Sequence, residues 1–439
     1  VDCNQNLGIS NQLNTSLKSF QTKYIYLEQG PIFFFIKVLS WAKIFKMNIK
    51  DISWEAQLNL DLINPSVKNT ISTQKLFRYQ FKNSDSPVNQ LENITCQYVK
   101  AKFALGVSSA TNAIFLALKS IGVTANSKVL IPAFTFTAVP SAVVQCGADP
   151  VLVDITKEYV IDLNDLESKI LSSGAKYLLL SHMRGHLCDM DKIVGICKKY
   201  SIDLIEDAAH AFGVKWNGKH AGTFGIAGIY SLQSYKVINA GEGGILVTNN
   251  PEIFWKSVFM SGSYEKNYLL HSNHDLNIAN QYKNKLPVFN VRMNNITASI
   301  AIPQVKVIES TIDKVNRNFN NFKHIISSNS LISFPTELPQ IRPVRDSAQF
   351  RIAINEKARI ELKELLIESG VPISYFGGEN NTNARLYKNW KFIKIDETTL
   401  PNTMRHLSDA FDIRLPIHFT SRTIEAIAKQ ILETLSNYN

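Results

Sequence analysis

From about residue 100 the chain alternates short apolar runs with helical stretches. The runs "KVLIPAFTF", "DPVLVDI", "AKYLLLSHM", "IDLIED", "AGIYSL" and "GGILVTN" are short and bounded by turn residues, as expected of strands buried on both faces of a parallel sheet. Between them, "SSATNAIFLALKSIGV" is apolar on nearly every side and closes on Gly122, which reads as a buried helix. "MDKIVGICKKY" is helical as well. The pattern predicts an α/β fold, with a mostly parallel sheet covered on both faces and ending near residue 255. The polar stretch that follows, "SYEKNYLLHSNHDLNIANQYKNKLP", has no clear periodicity and reads as a long loop. The segment "NNITASIAIPQVKVIESTIDKVNRNFNNFKHII" reads as a helical region. "AQFRIAIN", "EKARIELKELLIESGV" and "SRTIEAIAKQILETL" then suggest a smaller α+β unit. We therefore expect a large domain over 47–310, including an N-terminal arm, and a small C-terminal domain over 311–439.

The bulk numbers change this picture little. In 439 residues, 45% are hydrophobic and 19% charged, the composition of a folded globular chain. The net charge of +10 invites a nucleic-acid reading, but the lysines are scattered and no basic block interleaves with aromatics. The five cysteines are widely spaced without a CxxC pair, so neither a zinc site nor a disulfide framework is indicated and a cytoplasmic setting is expected. "GPIFFFIKVLSWAKIFK" (30–46) is interrupted by Lys37 and Lys43 and falls short of the roughly 20 apolar residues of a spanning helix. Residues 1–46 read as a dispensable extension ahead of Met47, with an amphipathic surface-binding segment as the competing reading.

Three features fall at the ends of different strands, where open α/β sheets bind ligands. In "GVSSATNAIF", Ser108, Ser109, Thr111 and the free N–H groups of a helix start could cradle a phosphate, although simple N-capping accounts for the same residues. In "LIEDAAHAFG", Asp207 closes a strand and His210 follows three residues later; a carboxylate there could hold a cationic ring nitrogen, or merely cap a turn. In "YSLQSYKVINAGEGG", Ser231 and Lys236 flank a turn beside a glycine-rich loop. A lysine made less basic by desolvation is a Schiff-base nucleophile, whereas most lysines are surface residues. Together, a phosphate cradle, an anion for a protonated pyridine and a Schiff-base amine match the needs of pyridoxal phosphate.

Their order resembles a known family. "VSSATNA", "IPAFTFTAVPSAVVQCGADPVLVDI", "HMRGHLCDMDKIVGICKKY", "IEDAAHAFG", "YSLQSYKVINAGEGGILVTN", "FNVRMNNITASIAIPQV" and "RLPIHFT" are similar to successive blocks of the DegT/StrS-type sugar aminotransferases, over about residues 70–435. The resemblance implies a fold type I transferase with a mostly parallel seven-stranded sheet and a smaller C-terminal α+β domain. It also implies pyridoxal 5'-phosphate, a keto-sugar substrate, glutamate as amino donor, and a homodimer with shared active sites. By the same resemblance Lys236 carries the Schiff base and shuttles the proton, Asp207 pairs with the pyridine nitrogen, His210 contacts the phenolic oxygen and Phe136 stacks on the ring. Ala110, Thr111, Ser231 and the backbone N–H of Asn112 would hold the phosphate. Asn290 or Arg292 would reach the phosphate of the partner subunit. Asn112 stands where a small residue is common, and the 262–286 segment and the first 70 residues have no counterpart. A dehydratase on the same scaffold would carry histidine in place of Lys236. A non-catalytic regulator has no need of the lysine, and a dinucleotide enzyme would show GxGxxG after its first strand.

Overall fold

In the computed structural model, residues 47–82, 85–271 and 276–438 are described; the 1–46 extension lies outside them. Ile49–Asn439 form one compact unit. Two helices, α1 (Leu60–Ser72) and α2 (Pro87–Val99), precede the main sheet. Strand β1 (Phe103–Val107) leads into α3 (Ala110–Ser120), β2 (Lys128–Pro132) into α4 (Ala138–Gln145), and β3 (Asp149–Val153) into α5 (Leu163–Ser173). Next come β4 (Tyr177–Ser181), α6 (Met190–Tyr200) and β5 (Asp203–Asp207). A ribbon of β6 (Lys215–Trp216) and β7 (Lys219–His220) separates them from β8 (Ala227–Ser231) and β9 (Gly244–Thr248).

These strands, the ribbon aside, form a seven-stranded sheet in the order β1-β9-β8-β5-β4-β2-β3. Only β9 runs against the others. The expected α/β sheet is present, and every apolar run named above supplies a strand. Apolar cores cover both of its faces, which is why these strands are apolar on consecutive positions instead of alternating.

After the sheet, α7 (Pro251–Gly262) leads into the stretch expected to be a long loop, and α8 (Leu276–Tyr282) lies within that stretch. That expectation is corrected. A 3₁₀ turn spans Asn267–Leu270, and Tyr268 and Ala279 are buried. Tyr268 packs its ring 5.5 Å from that of Phe259, so a few apolar residues suffice to anchor a segment whose overall composition is polar. The long helical region is also divided, into α9 (Asn295–Lys306) and α10 (Ile308–Ile326), at the non-helical Val307. Pro303 has already removed one backbone donor from α9. The expected boundary after residue 310 therefore falls inside α10.

The remaining elements are β10 (Ile332–Ser333), β11 (Ile341–Arg342), β12 (Ser347–Ile352), α11 (Glu356–Glu368), β13 (Ser374–Tyr375), α12 (Thr403–Leu407), β14 (Ala410–Arg414) and α13 (Ser421–Leu435). An antiparallel sheet ordered β10-β12-β14-β13 has its own apolar core, while β11 joins the β6–β7 ribbon. Among the described residues no helix is long and apolar enough to cross a membrane.

Candidate active site

Adjacent strands β8, β5 and β4 end together, so Ser231, Asp207 and Ser181 share one edge of the sheet. A cavity of about 410 Å³ opens there, in the position where open α/β sheets take ligands.

At one end of the cavity lies the start of α3. Ser109 is its N-cap, in extended conformation, and the Ser109 hydroxyl accepts the Asn112 N–H at 3.1 Å. The Asn112 amide donates to Ser108 Oγ at 2.9 Å, so the residue that departs from the family pattern braces the turn and is not among those lining the cavity. Ser109, Ala110, Thr111 and, from β8, Ser231 do line it. A Cβ added to Gly244 would fall 2.4 Å from Ser109 C and O and 2.5 Å from Ala110 N. Glycine at the start of β9 is what lets the helix terminus settle onto the sheet.

The middle of the cavity holds the ionisable groups. Strand alternation sends Glu206 and Asp207 to opposite faces. Glu206 accepts the N–H groups of Gly222 and Gly225 at 2.7 and 2.8 Å and lies 2.9 Å from His182 Nε2. Asp207 is buried; its carboxylate accepts from the Ser181 hydroxyl at 2.7 Å and the Ala209 N–H at 3.1 Å. The Ser181 hydroxyl is itself held by Thr135 at 2.8 Å. Lys236 sits in the β8–β9 connection, which Leu232 and Gly243, and Ser234 and Gly241, close by backbone hydrogen bonds. The half-buried Lys236 Nζ lies 2.8 Å from His210 Nε2. Burial, reinforced by the Arg184 charge, lowers the Lys236 pKa to about 7. Burial and then Lys236 itself drive His210 well below its ordinary value, so the imidazole is neutral and the amine is readily freed of its proton. Phe136 is 47% exposed and lines the cavity, leaving an uncovered aromatic face against which a planar ring can lie.

The opposite end carries three arginines that the sequence motifs did not single out: Arg184, Arg385 and Arg414. Arg184 follows β4 in left-handed backbone (φ 55°) and pairs with the buried Asp412. Arg385 lies 3.6 Å from the same carboxylate, and burial followed by the Arg184 charge lowers its pKa to about 10. Arg414, at the end of β14, donates to the Tyr235 carbonyl at 3.0 Å and sits 4.2 Å from the centroid of the Tyr235 ring, next to Lys236. Arg184 and Arg414 do lie within the matched blocks "HMRGH" and "RLPIHFT", whereas nothing local marks Arg385.

Asn290 and Arg292 are not among the residues lining this cavity. Arg292 nevertheless forms a β-bridge with Val107, and the Val291 carbonyl accepts the Ser108 N–H, so their segment runs beside the turn into α3. Arg292 donates to the Gly262 carbonyl at 2.8 Å and rests over the rings of Phe77 and Tyr264. Asn290 is exposed, with φ 56°.

The donor set fits pyridoxal phosphate: hydroxyls and a helix start at one end, a fixed carboxylate and a weakly basic lysine in the middle, and an aromatic face beside them. Known proteins point the same way. The GDP-perosamine synthase of Escherichia coli O157:H7 is 31% identical over 242 residues, 55% of this chain and 63% of that protein, so the match spans less than two thirds of the relative's length. The 3-amino-5-hydroxybenzoate synthase of Amycolatopsis mediterranei is 30% identical over 65% of this chain and 72% of its own. A crystal structure of 3-amino-5-hydroxybenzoic acid synthase superposes with TM-score 0.76 at 23% identity, covering 88% of this chain and 99% of that one; at that identity it speaks for the fold. With its fold type I architecture, and with residues 69–432 matching the family model, the chain belongs to the DegT/DnrJ/EryC1/StrS aminotransferase family.

Proposed function

We propose that the protein is a pyridoxal-phosphate-dependent aminotransferase that passes the amino group of glutamate to a keto sugar, making an amino sugar. The observation that carries this reading is the placement of Lys236, weakly basic and 2.8 Å from a neutral His210, in one cavity with Asp207 at a strand end. Family membership and the relatives named GDP-perosamine synthase and 3-amino-5-hydroxybenzoate synthase support it.

When bound, the cofactor supplies an electron sink that makes the C–H bond next to the transferred nitrogen acidic. The protein does the rest. Asp207, fixed by Ser181 and the Ala209 N–H, presents a carboxylate to the ring nitrogen and keeps that nitrogen protonated. Ser109, Ala110, Thr111, Ser231 and the α3 terminus meet the phosphate with neutral donors and the positive end of a helix dipole. Phe136 covers one ring face. His210 is placed to orient Lys236 and the ring oxygen. The Lys236 amine would take up and return the proton at the substrate carbon, a task suited to a group titrating near 7.

On this reading the protein works as a cytoplasmic homodimer in which Asn290 or Arg292 faces the partner's phosphate. Residues 47–310 and 311–439 act as its large and small domains. Borohydride reduction of cofactor-loaded protein, followed by peptide mapping, should label Lys236. Lys236→Ala should abolish both that label and glutamate-dependent amino transfer. A label on a different lysine would overturn the assignment.

A further inference from the structure

The cavity is asymmetric in charge. Its acidic lining residues are Asp207, already committed to Ser181 and Ala209, and the exposed Glu242. Facing them are Arg184, Arg385 and Arg414. Asp412 is shared between Arg184 and Arg385 and is also engaged by Gln349 at 2.6 Å. Arg414 has a backbone carbonyl as its hydrogen-bond acceptor. The Nε atoms of all three arginines are buried and have no hydrogen-bond partner among the described residues. Arg184 is held in left-handed backbone, a costly conformation for a side-chain-bearing residue, and the adjoining Gly185 packs so close to the His210 carbonyl that a Cβ would lie 3.0 Å from it. Partly desolvated guanidiniums with unused donors, arranged around a cavity, are built to receive an anion.

We infer that the keto substrate is itself anionic: the sugar carries a carboxylate or phosphate close to the carbon that receives the amino group, and Arg184, Arg385 and Arg414 bind it. This rests on the aminotransferase reading above. A glutamate donor would satisfy the same arginines in its own half of the cycle, but donor and acceptor occupy one cavity in turn. Arg184 and Arg385 share one carboxylate, Asp412, and Asp346 is the acid acting most strongly on Arg414. A neutral acceptor would leave the Nε donors desolvated and unused each time it bound, which is unfavourable. An anionic acceptor keeps them paired in both halves. The charge belongs on the part of the substrate that enters the cavity, because Arg184, Arg385 and Arg414 line the same cavity as Lys236 and Phe136.

The test uses cofactor-loaded protein without amino donor, in which a keto sugar binds but cannot react. Titration calorimetry compares 5-ketogluconate, fructose 6-phosphate and uncharged L-sorbose, with GDP as the carrier control. An anionic sugar should bind about tenfold or more tightly than sorbose, the scale of a charge-assisted hydrogen bond. Arg385→Gln and Arg414→Gln should each collapse that ratio toward one, while circular dichroism shows the fold retained. Preference for the acid assigns a carboxylate, and preference for the sugar phosphate assigns a phosphate. Equal affinity for all three sugars, a preference indifferent to both substitutions, or an arginine-dependent effect confined to GDP would each overturn the inference. The aminotransferase reading is checked apart from this, by the absorbance change when glutamate is added to the same preparation.

Discussion

The two ends of the cavity are both suited to negative charge, and they are built in opposite ways. At the α3 end the donors are neutral: hydroxyls, backbone N–H groups and a helix terminus, all set by a local turn and by Gly244. At the far end the donors are three full cations, carried by the β4 exit, the loop after β13 and the end of β14. A neutral cradle divides its work among many weak contacts, so no single one is decisive. A cationic end concentrates the work in a few buried charges, each of which must be balanced in the resting protein. Substitutions at the cationic end should therefore cost more, and cost stability as well as binding.

Arg184→Gln should have the largest effect. Burial alone would push the Asp412 carboxyl up, but Arg184 and Arg385 together hold it below its ordinary value. Removing Arg184 leaves a buried carboxylate with a longer-range partner at 3.6 Å, and breaking buried pairs of this kind costs about 3–5 kcal/mol. Urea denaturation of the cofactor-free protein should register that loss. A loss below about 1 kcal/mol, the scale of exposed pairs, would mean that the cationic end is no more integral than the neutral one.

The second prediction concerns Lys236, between the two ends. Its folded pKa, about 7, lies below its ordinary value of 10.5. Between those pH values the unfolded chain holds a proton that the folded chain lacks, so stability of the cofactor-free protein rises with pH across that window. Below pH 7 both states are protonated and the full penalty of burying the ammonium is present. The effect is bounded at about 5 kcal/mol, at about 1.36 kcal/mol per pH unit. Lys236→Met should flatten the rise and be more stable than the parent at pH 6. A parent curve that is flat from pH 7 to 10 would show that the lysine is not desolvated by its neighbours.

The same contrast explains what the sequence made legible. The α3 end is encoded locally: "VSSATNA" has its capping serine, its turn and its helix within a few residues, and Asp207 and Lys236 each follow a recognisable strand. The arginine end is encoded by tertiary structure. Arg184, Arg385 and Arg414 are separated by 201 and 29 positions (385 − 184 and 414 − 385), and no periodicity links them. Their convergence depends on how the second sheet packs against the first. The 263–287 segment departs from its loop pattern for a related reason: its anchoring apolar residues, Tyr268 and Ala279, are too sparse to leave a periodicity.

Gly244→Ala probes the frame of the neutral end. The added methyl would overlap the Ser109 carbonyl group and the Ala110 nitrogen, both backbone atoms of a capped helix start that cannot swing aside as a side chain could. Overpacking of this sort costs about 1–3 kcal/mol. Because the displaced atoms belong to the cradle, pyridoxal phosphate affinity should fall together with the melting temperature. A stability loss with unchanged affinity would separate the helix start from the phosphate site.

Thr111→Val should have the smallest effect, and it bears most directly on the comparison. Thr111 lines the cavity from the first turn of α3, and its hydroxyl has no hydrogen bond to other described residues. Valine keeps the branched shape and removes only that hydroxyl. Stability of the cofactor-free protein should stay within about 0.5 kcal/mol of the parent. Affinity for pyridoxal phosphate should weaken by roughly two- to tenfold, the worth of one hydrogen bond of about 0.5–1.5 kcal/mol. Equilibrium dialysis against the cofactor measures this without turnover. A hundredfold loss would mean that the hydroxyl carries the phosphate nearly alone, and the neutral end would then be as concentrated in its design as the arginine end. A few-fold loss is what a cradle of interchangeable weak donors requires.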